Sequence, residues 1–193
     1  MEDKEKPKGR LFVLSGPSGV GKGTLRERAL SGLNSLVYSI SCTTRPPRKG
    51  ERDGIDYYFI SRQEFEKKAA EGLFLEHARV HGDCYGTLRE KVGDEISLGR
   101  DVVLEIDVQG ALQVRRAMPE SVLIFVSPPS PEALAERLRR RRTESGEKIA
   151  LRLENAKEEM RHVDEYNHVV VNDTVERASD ELREIILSYR RPD

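Results

Sequence analysis

Cysteine is scarce, with two in 193 residues, and Cys42 and Cys84 lie far apart. That excludes a disulfide framework, a clustered-thiolate metal site and a redox pair, and it fits a reducing cytoplasm. Long apolar runs are missing as well. No uncharged stretch approaches the ~20 residues that a membrane-spanning helix needs, so no membrane partner is expected. Nor does one sign of charge dominate: the formal net charge is −1 although 35% of the residues are charged. A surface of mixed sign does not indicate a nucleic-acid partner. The four histidines, His77, His81, His162 and His168, show no metal-ligand spacing. Met1 to Lys8 is charged and has no apolar core, which reads as neither a secretion signal nor an anchor, and residues 1–9 are expected to form a frayed tail. There is no internal repeat and no low-complexity linker. The length suits one ordinary domain carrying inserted lobes.

What the chain does have is a glycine-rich turn close to its start. The apolar run Leu11 to Ser15 leads into Gly16, Pro17, Ser18, Gly19, Val20, Gly21, Lys22, Gly23 and Thr24. Glycines permit positive φ and close backbone approach, so successive N–H groups can turn inward on an anion. Lys22 adds a mobile positive charge, and the helix it opens presents its positive end to the same place. Glycine-rich turns also join strands to helices without binding anything, but such joints require neither the lysine nor so many glycines. The strict phosphate-loop pattern is met from Gly16 through Lys22, after which Gly23 replaces the hydroxyl residue and Thr24 comes one place late. The reading is a polyphosphate cradle whose usual magnesium ligand is displaced.

Five β-branched apolar runs recur between helical patterns: Leu11–Ser15, Leu36–Ser41, Val102–Asp107, Val122–Ser127 and His168–Asn172. They lack alternation, which predicts strands covered on both faces in a parallel sheet flanked by helices. The fold class is therefore α/β. Ser61 to Glu64 and Thr87 to Glu90 read as capping boxes, and Gly72 and Gly99 as the stops of the helices those boxes begin. Ser130-Pro131 starts another helix, and Thr174 to Tyr189 closes the core with Ala178, Leu182, Ile185 and Ile186. Two regions break this rhythm: the turn-rich stretch 41–87, an inserted lobe, and the helical stretch from Ser130 to about Arg152, rich in arginine.

In Ser41 to Arg48, Arg45 and Arg48 flank prolines that stiffen the backbone, so two guanidinium forks can be held at one place for phosphate oxygens. A solvated basic turn is the plainer alternative. Tyr57 and Tyr85 offer phenolic donors, although tyrosines on strands often only pack.

Several short motifs now fall into register. Gly-Pro-Ser-Gly-Val-Gly-Lys, Ser41-x-Thr-Thr-Arg45-x-x-Arg48, Gly54-x-x-Tyr57, Phe74-Leu-Glu76, Tyr85-Gly-Thr87 and Glu105-Ile-Asp-Val-Gln-Gly110 come in the order and spacing of guanylate kinases. Pro128-Pro-Ser130 and Val171-Asn-Asp173 extend the likeness towards the C-terminus. From Leu11 to the last helix the chain resembles that family, nucleoside monophosphate kinases of the bacterial type. The resemblance implies a P-loop NTPase fold with a core of 10–40, 88–127 and 155–190, a GMP-binding lobe at 41–87 and a lid at 128–154. It implies an ATP:GMP phosphotransferase with Mg²⁺, serving guanine nucleotide synthesis and recycling. Carried over position by position, Arg45, Arg48, Tyr57 and Tyr85 would grip the GMP phosphate, while Ser41, Glu76, Thr87 and Asp107 would read its base. Lys22, Arg137, Arg141 and Arg152 would serve the transferring group.

Guanine offers N1–H and a 2-amino group, and carboxylates only accept. Adenine would leave the Glu76 and Asp107 oxygens unpaired, a route to discrimination on the order of 10⁴. Asp107 and Glu105 sit at a strand end, where such sheets present ligands, though a strand-end carboxylate can also pair with a nearby lysine or helix end. Glu105 is a candidate for a magnesium-bound water, with Thr24 a second candidate near the metal. The lid departs from the family's Gly-Arg-Gly, having Arg140-Arg-Arg142 instead, and Arg139, Arg140 and Arg142 read as a solvated face. Three rivals stand beside this reading. One is a kinase for another monophosphate, which the paired carboxylates argue against. A regulatory GTPase is imitated by Asp107-Val-Gln-Gly110, but the chain has no Asn-Lys-x-Asp guanine reader. A non-catalytic phosphopeptide module of the same family would not need Lys22 and the lid arginines.

Overall fold

A computed structural model describes residues 8–33, 36–80, 82–140 and 146–190; residues 1–7 of the expected tail lie outside these. In chain order the elements are β1 (Leu11–Ser15), α1 (Lys22–Leu30), β2 (Leu36–Tyr38), β3 (Cys42–Thr43), β4 (Tyr58–Phe59), α2 (Arg62–Ala70), β5 (Phe74–Val80), β6 (Asp83–Leu88), α3 (Arg89–Ser97) and β7 (Asp101–Glu105). There follow α4 (Val108–Ala117), β8 (Val122–Ser127), α5 (Pro131–Arg140), α6 (Gly146–Met160), a 3-10 turn (Val163–Glu165), β9 (His168–Val171) and α7 (Val175–Tyr189).

Two sheets result: five strands in the order β2-β7-β1-β8-β9, and four in the order β4-β3-β6-β5. The first is the expected parallel sheet. β8 runs parallel to β1, with Phe12 opposite Val122, and to β9, with Ile124 opposite His168. Every residue of β1 and of β8 is buried, as their unbroken apolar runs require. β9 departs from that expectation. It is a last strand with one neighbour, and only Val170 is buried while Val169 and Val171 are exposed.

The chain divides into two compact units. One holds the described residues of Phe12–Asn34, Glu105–Val108 and Val122–Asp193. In it α7 buries Ala178, Leu182 and Ile186, and Arg183 donates to the Ala29 and Ser31 carbonyls at the end of α1, at 3.0 and 2.8 Å. α5 and α6 share a cluster of Leu134, Leu138 and Ala156, flanked by Ile149 and Leu153. α6 runs unbroken through position 154, where the lid was expected to end.

The other unit holds the described residues of Met1–Leu11, Ser35–Leu104 and Gln109–Ser121, and with them the four-stranded sheet. Its core gathers Cys42, Phe65 and Phe74, with the two phenyl rings stacked at 4.5 Å, and Tyr58, Ile60, Ala69, Cys84 and Leu88 around them. Burial pushes the Cys42 thiol up to about 11, which leaves it unreactive. The Ser61 cap is present, its hydroxyl accepting the Glu64 amide at 3.1 Å, and Gly72 and Gly99 take positive φ just past α2 and α3. The second capping box is not. α3 begins at Arg89 behind Leu88, and Thr87 lies fully buried in β6, its hydroxyl committed elsewhere. The Thr-x-x-Glu pattern straddles a strand end, and strand pairing takes the threonine first.

Truncating the stacked pair should be costly. Phe65→Ala is expected to lower unfolding stability by about 3–5 kcal/mol in urea denaturation, through lost transfer energy and a cavity beside Phe74.

Candidate active site

β1 ends at Ser15 and the chain turns at Gly16, with φ +137°. A Cβ on Gly16 would stand 2.2 Å from the Val126 carbonyl oxygen of β8, so only glycine lets the two strands run this close. The turn closes at Gly21, which caps α1 in a left-handed conformation, φ +100°, and supplies no capping side chain. The first amides of α1 therefore meet no side-chain acceptor from their own cap, an arrangement suited to an anion. Lys22, the first residue of the helix, folds back over the turn. Its Nζ donates to the Gly16 carbonyl at 2.5 Å and to the Pro17 carbonyl at 3.3 Å. Burial pushes its pKa below the ordinary lysine value, while the carboxylates of Glu105, Glu159 and Asp107 pull the other way.

Glu159 did not emerge from the sequence. It lies near the end of α6, and burial raises its pKa against the opposing charge of Lys22 and the weaker pull of the Ser18 amide. No motif marks it. Arg137 is placed against the loop: its guanidinium donates to the Val20 carbonyl at 3.1 Å and to the Asn172 carbonyl at 2.8 Å. Asn172, 3% exposed, donates from Nδ2 to the same Val20 carbonyl at 2.7 Å, and its buried Oδ1 has no hydrogen-bond partner. Arg152 is half-buried on α6, and Arg141 lies outside the described residues, as do Arg142 and His81.

The region suited to a metal ion lies beside Gly23. A Cβ there would come within 3.5 and 3.7 Å of the two Glu105 carboxylate oxygens, so Glu105 faces the position where the strict pattern places its hydroxyl. Glu105 is itself paired with Arg26 at 3.1 Å, and Thr24 is exposed on the first turn of α1. One carboxylate beside a phosphate cradle fits magnesium, which binds through one or two carboxylates, phosphates and retained waters. Among the described residues no cluster of three or more His, Cys, Asp or Glu could hold a metal alone.

In the other unit, Arg45, Tyr57 and Tyr85 come together. The Arg45 guanidinium lies 4.9 Å from the Tyr57 ring centroid, the Tyr85 side chain adds to the stabilisation of its charge, and the two tyrosine rings meet edge to face at 6.0 Å. The residue that fixes this group was missed. Glu51 takes both Arg45 nitrogens, at 2.6 and 2.7 Å, and also the Arg48 amide at 2.7 Å. A carboxylate three residues beyond the second arginine was the available signal. Its hydrogen bonds to Arg45 hold its pKa down at about 2. Arg48 has an exposed side chain, and Ser41, half-buried, accepts the Tyr58 amide on its carbonyl at 2.9 Å. Glu76 and Thr87 are register partners on β5 and β6, and the buried Thr87 hydroxyl donates to Glu76 Oε1 at 2.6 Å. Asp107 belongs to the first unit, with Lys22 and Glu159.

A family model described as guanylate kinase matches residues 8–189. The chain belongs to the guanylate kinase family. It is 49% identical over 183 residues to a guanylate kinase of Thermotoga maritima, covering 95% of this chain and 88% of the relative. With a guanylate kinase of Thermus thermophilus the identity is 53% over 184 residues, covering 95% and 83%. The crystal structure of guanylate kinase from Anaplasma phagocytophilum superposes with a TM-score of 0.79 at 36% identity, over 97% of this guanylate kinase and 89% of that one. Among the described residues no helix is long and apolar enough to cross a membrane.

The Glu51 clamp gives this guanylate kinase an acid-sensitive joint. Its carboxyl titrates lower in the folded chain than its ordinary value of 4.5, so the clamp contributes fully above that pH and its contribution is lost as pH falls towards about 2. Glu51→Gln is expected to melt a few degrees below the parent at pH 7. The gap should close towards pH 2 in melts recorded across that range.

Proposed function

We infer that this guanylate kinase carries out its family's reaction with the two groups of residues described above. The reaction transfers the γ-phosphoryl group of ATP to GMP, giving ADP and GDP. The loop from Gly16 to Thr24 takes the ATP phosphates on its backbone amides, and Lys22 exchanges its bonds to the Gly16 and Pro17 carbonyls for phosphate oxygens. The observation that carries this reading is that desolvated ammonium folded over an uncapped helix end. Arg137, Arg141 and Arg152, from the arginine-rich lid at 128–154, supply positive charge to the equatorial oxygens of a loose transition state.

GMP occupies the lobe at 41–87. Arg45, held by Glu51, and Arg48 take its phosphate with Tyr57 and Tyr85. Ser41, Glu76, Thr87 and Asp107 read the base. The Thr87 hydroxyl fixes the Glu76 carboxylate, which accepts from guanine N1–H and the 2-amino group. Magnesium, when bound with ATP, neutralises charge between the phosphates. Glu105 would help to hold it, and Thr24 lies one position past the usual hydroxyl. The acceptor is a phosphate oxygen, already a competent nucleophile, so no side chain is needed as a base. Water held away from the γ-phosphate keeps ATP from being wasted. The pair of free thiols, Cys42 and Cys84, supports a reducing cytoplasm as the place of reaction.

ADP formation from ATP and Mg²⁺ should be rapid with GMP, slow with AMP, UMP, CMP or no acceptor, and abolished in Lys22→Ala. Glu76→Gln is expected to cut kcat/KM for GMP by a factor on the order of 10² while leaving the thermal midpoint close to the parent's. Equal turnover of AMP and GMP by the parent would overturn the guanine assignment.

A further inference from the structure

Gln113 has no task in that reading, yet its side chain touches the strand that carries Glu76. β5 is the last strand of the four-stranded sheet, with β6 as its neighbour. An edge strand has a single ladder to hold it, and here the ladder is interrupted as well. The register shifts between Phe74 and Glu76, with Phe74 opposite Leu88 and Glu76 opposite Thr87. The extra residue has a use. With strict alternation Phe74 and Glu76 would share a face, and the carboxylate would enter the apolar cluster of Phe65 and Phe74. The bulge gives that face to Phe74 and His77, whose ring centroids lie 5.9 Å apart, and turns Glu76 to the other.

On the free edge of β5, Gln113 of α4 takes the place of a strand. Its Oε1 accepts from the His77 amide at 3.1 Å, and its Nε2 donates to the His77 carbonyl at 2.9 Å. One primary amide thus pairs both peptide groups of one residue, in the two-bond pattern a neighbouring antiparallel strand would make. Before the bulge, Arg89 does similar work: its amide donates to the Leu73 carbonyl at 2.9 Å and its guanidinium to the Phe74 carbonyl at 3.4 Å. Across the ladder from His77 a side chain is crowded out, since a Cβ on Gly86 would meet Phe74 Cδ1 at 2.9 Å. The backbone on both sides of Glu76 is therefore fixed by bonds outside the β5–β6 ladder, and Gln113 holds the residue next to it. We propose that Gln113 is a positioning residue for guanine recognition: by pairing both peptide groups of His77 it pins the bulged edge strand, so that the Glu76 carboxylate, bonded to the Thr87 hydroxyl, is aimed at the base. This rests on the reading that Glu76 takes guanine. In this role Gln113 acts through the backbone.

The test is steady-state kinetics of the parent, Gln113→Met, Gln113→Glu, Glu76→Gln and the double variant Gln113→Met with Glu76→Gln, using GMP and using IMP, which lacks the 2-amino group, with melting of each protein. Gln113→Met keeps the length of the side chain and removes both bonds. It is expected to raise KM for GMP about tenfold, to leave KM for ATP within about twofold of the parent's, and to narrow the preference for GMP over IMP. Gln113→Glu keeps the bond from the His77 amide and loses the other, so it should fall between parent and Met variant, and it carries the test alone if the Met variant does not fold. In the Glu76→Gln background the Met substitution should add little, because the group it positions is already altered. Lower melting with both KM values and the GMP preference unchanged would mean that Gln113 only covers a strand edge, which overturns the proposal and leaves the guanine assignment standing. An equal rise in both KM values, the mark of general loosening, overturns it too. If Glu76→Gln alone leaves GMP turnover unchanged, the guanine assignment itself falls, and the proposal with it.

Discussion

A half-buried lysine ammonium folded over a turn of backbone carbonyls is the constraint around which the glycine-rich loop is arranged. Lys22 makes hydrogen bonds to Gly16 and Pro17, but two carbonyl oxygens do not neutralise a charge. The chain answers with three carboxylates from separate places: Glu105 where β7 ends, Asp107 just before α4, and Glu159 on α6. The glycines follow from the same crowding. β8 lies against Gly16 and Asn172 against Gly21, so a larger residue at either point would push the loop off its supports. A turn of this kind is a consequence of packing as much as of glycine flexibility.

The unit with the four-stranded sheet is built on different terms. Its strands are short, two residues each in β3 and β4, so the ladder alone cannot fix side chains there. Explicit partners do it instead. Glu51 anchors Arg45 through both nitrogens, aromatic rings support the guanidinium, and the register of β5 against β6 sets Thr87 beside Glu76. Each of these contacts orients a group that would otherwise choose among rotamers, which is what recognition of a small polar ligand demands.

The parts legible in the sequence were those with local causes. β1 and β8 could be read because an unbroken apolar run has few other uses, and the helix at Ser130-Pro131 because its cap and first turn are adjacent: the Ala133 amide does bond the Ser130 hydroxyl at 3.2 Å. β9 was half read, since its apolar composition does not reveal that it is the last strand. Thr87 shows how a local signal loses to a distant one, its cap pattern overridden by a buried bond to Glu76 across the sheet. Glu159 was out of reach because the loop it neighbours is remote; Asn172 stood in the Val171-Asn-Asp173 motif, but its bond to Val20 across 152 residues of chain was not readable. Glu51 was closer to hand, within the same turn as the arginines it holds.

The most direct measurement is a pair of amide chemical-shift titrations of the labelled protein, one with ATP and Mg²⁺, the other with GMP. ATP should move the amides of Gly16, Ser18, Gly19, Gly21 and Lys22, and GMP those around Arg45, Arg48, Tyr57 and Glu76. Loop amides that stay still under saturating ATP would contradict the account at its centre, because nothing else proposed for the site would then have a phosphate to act on.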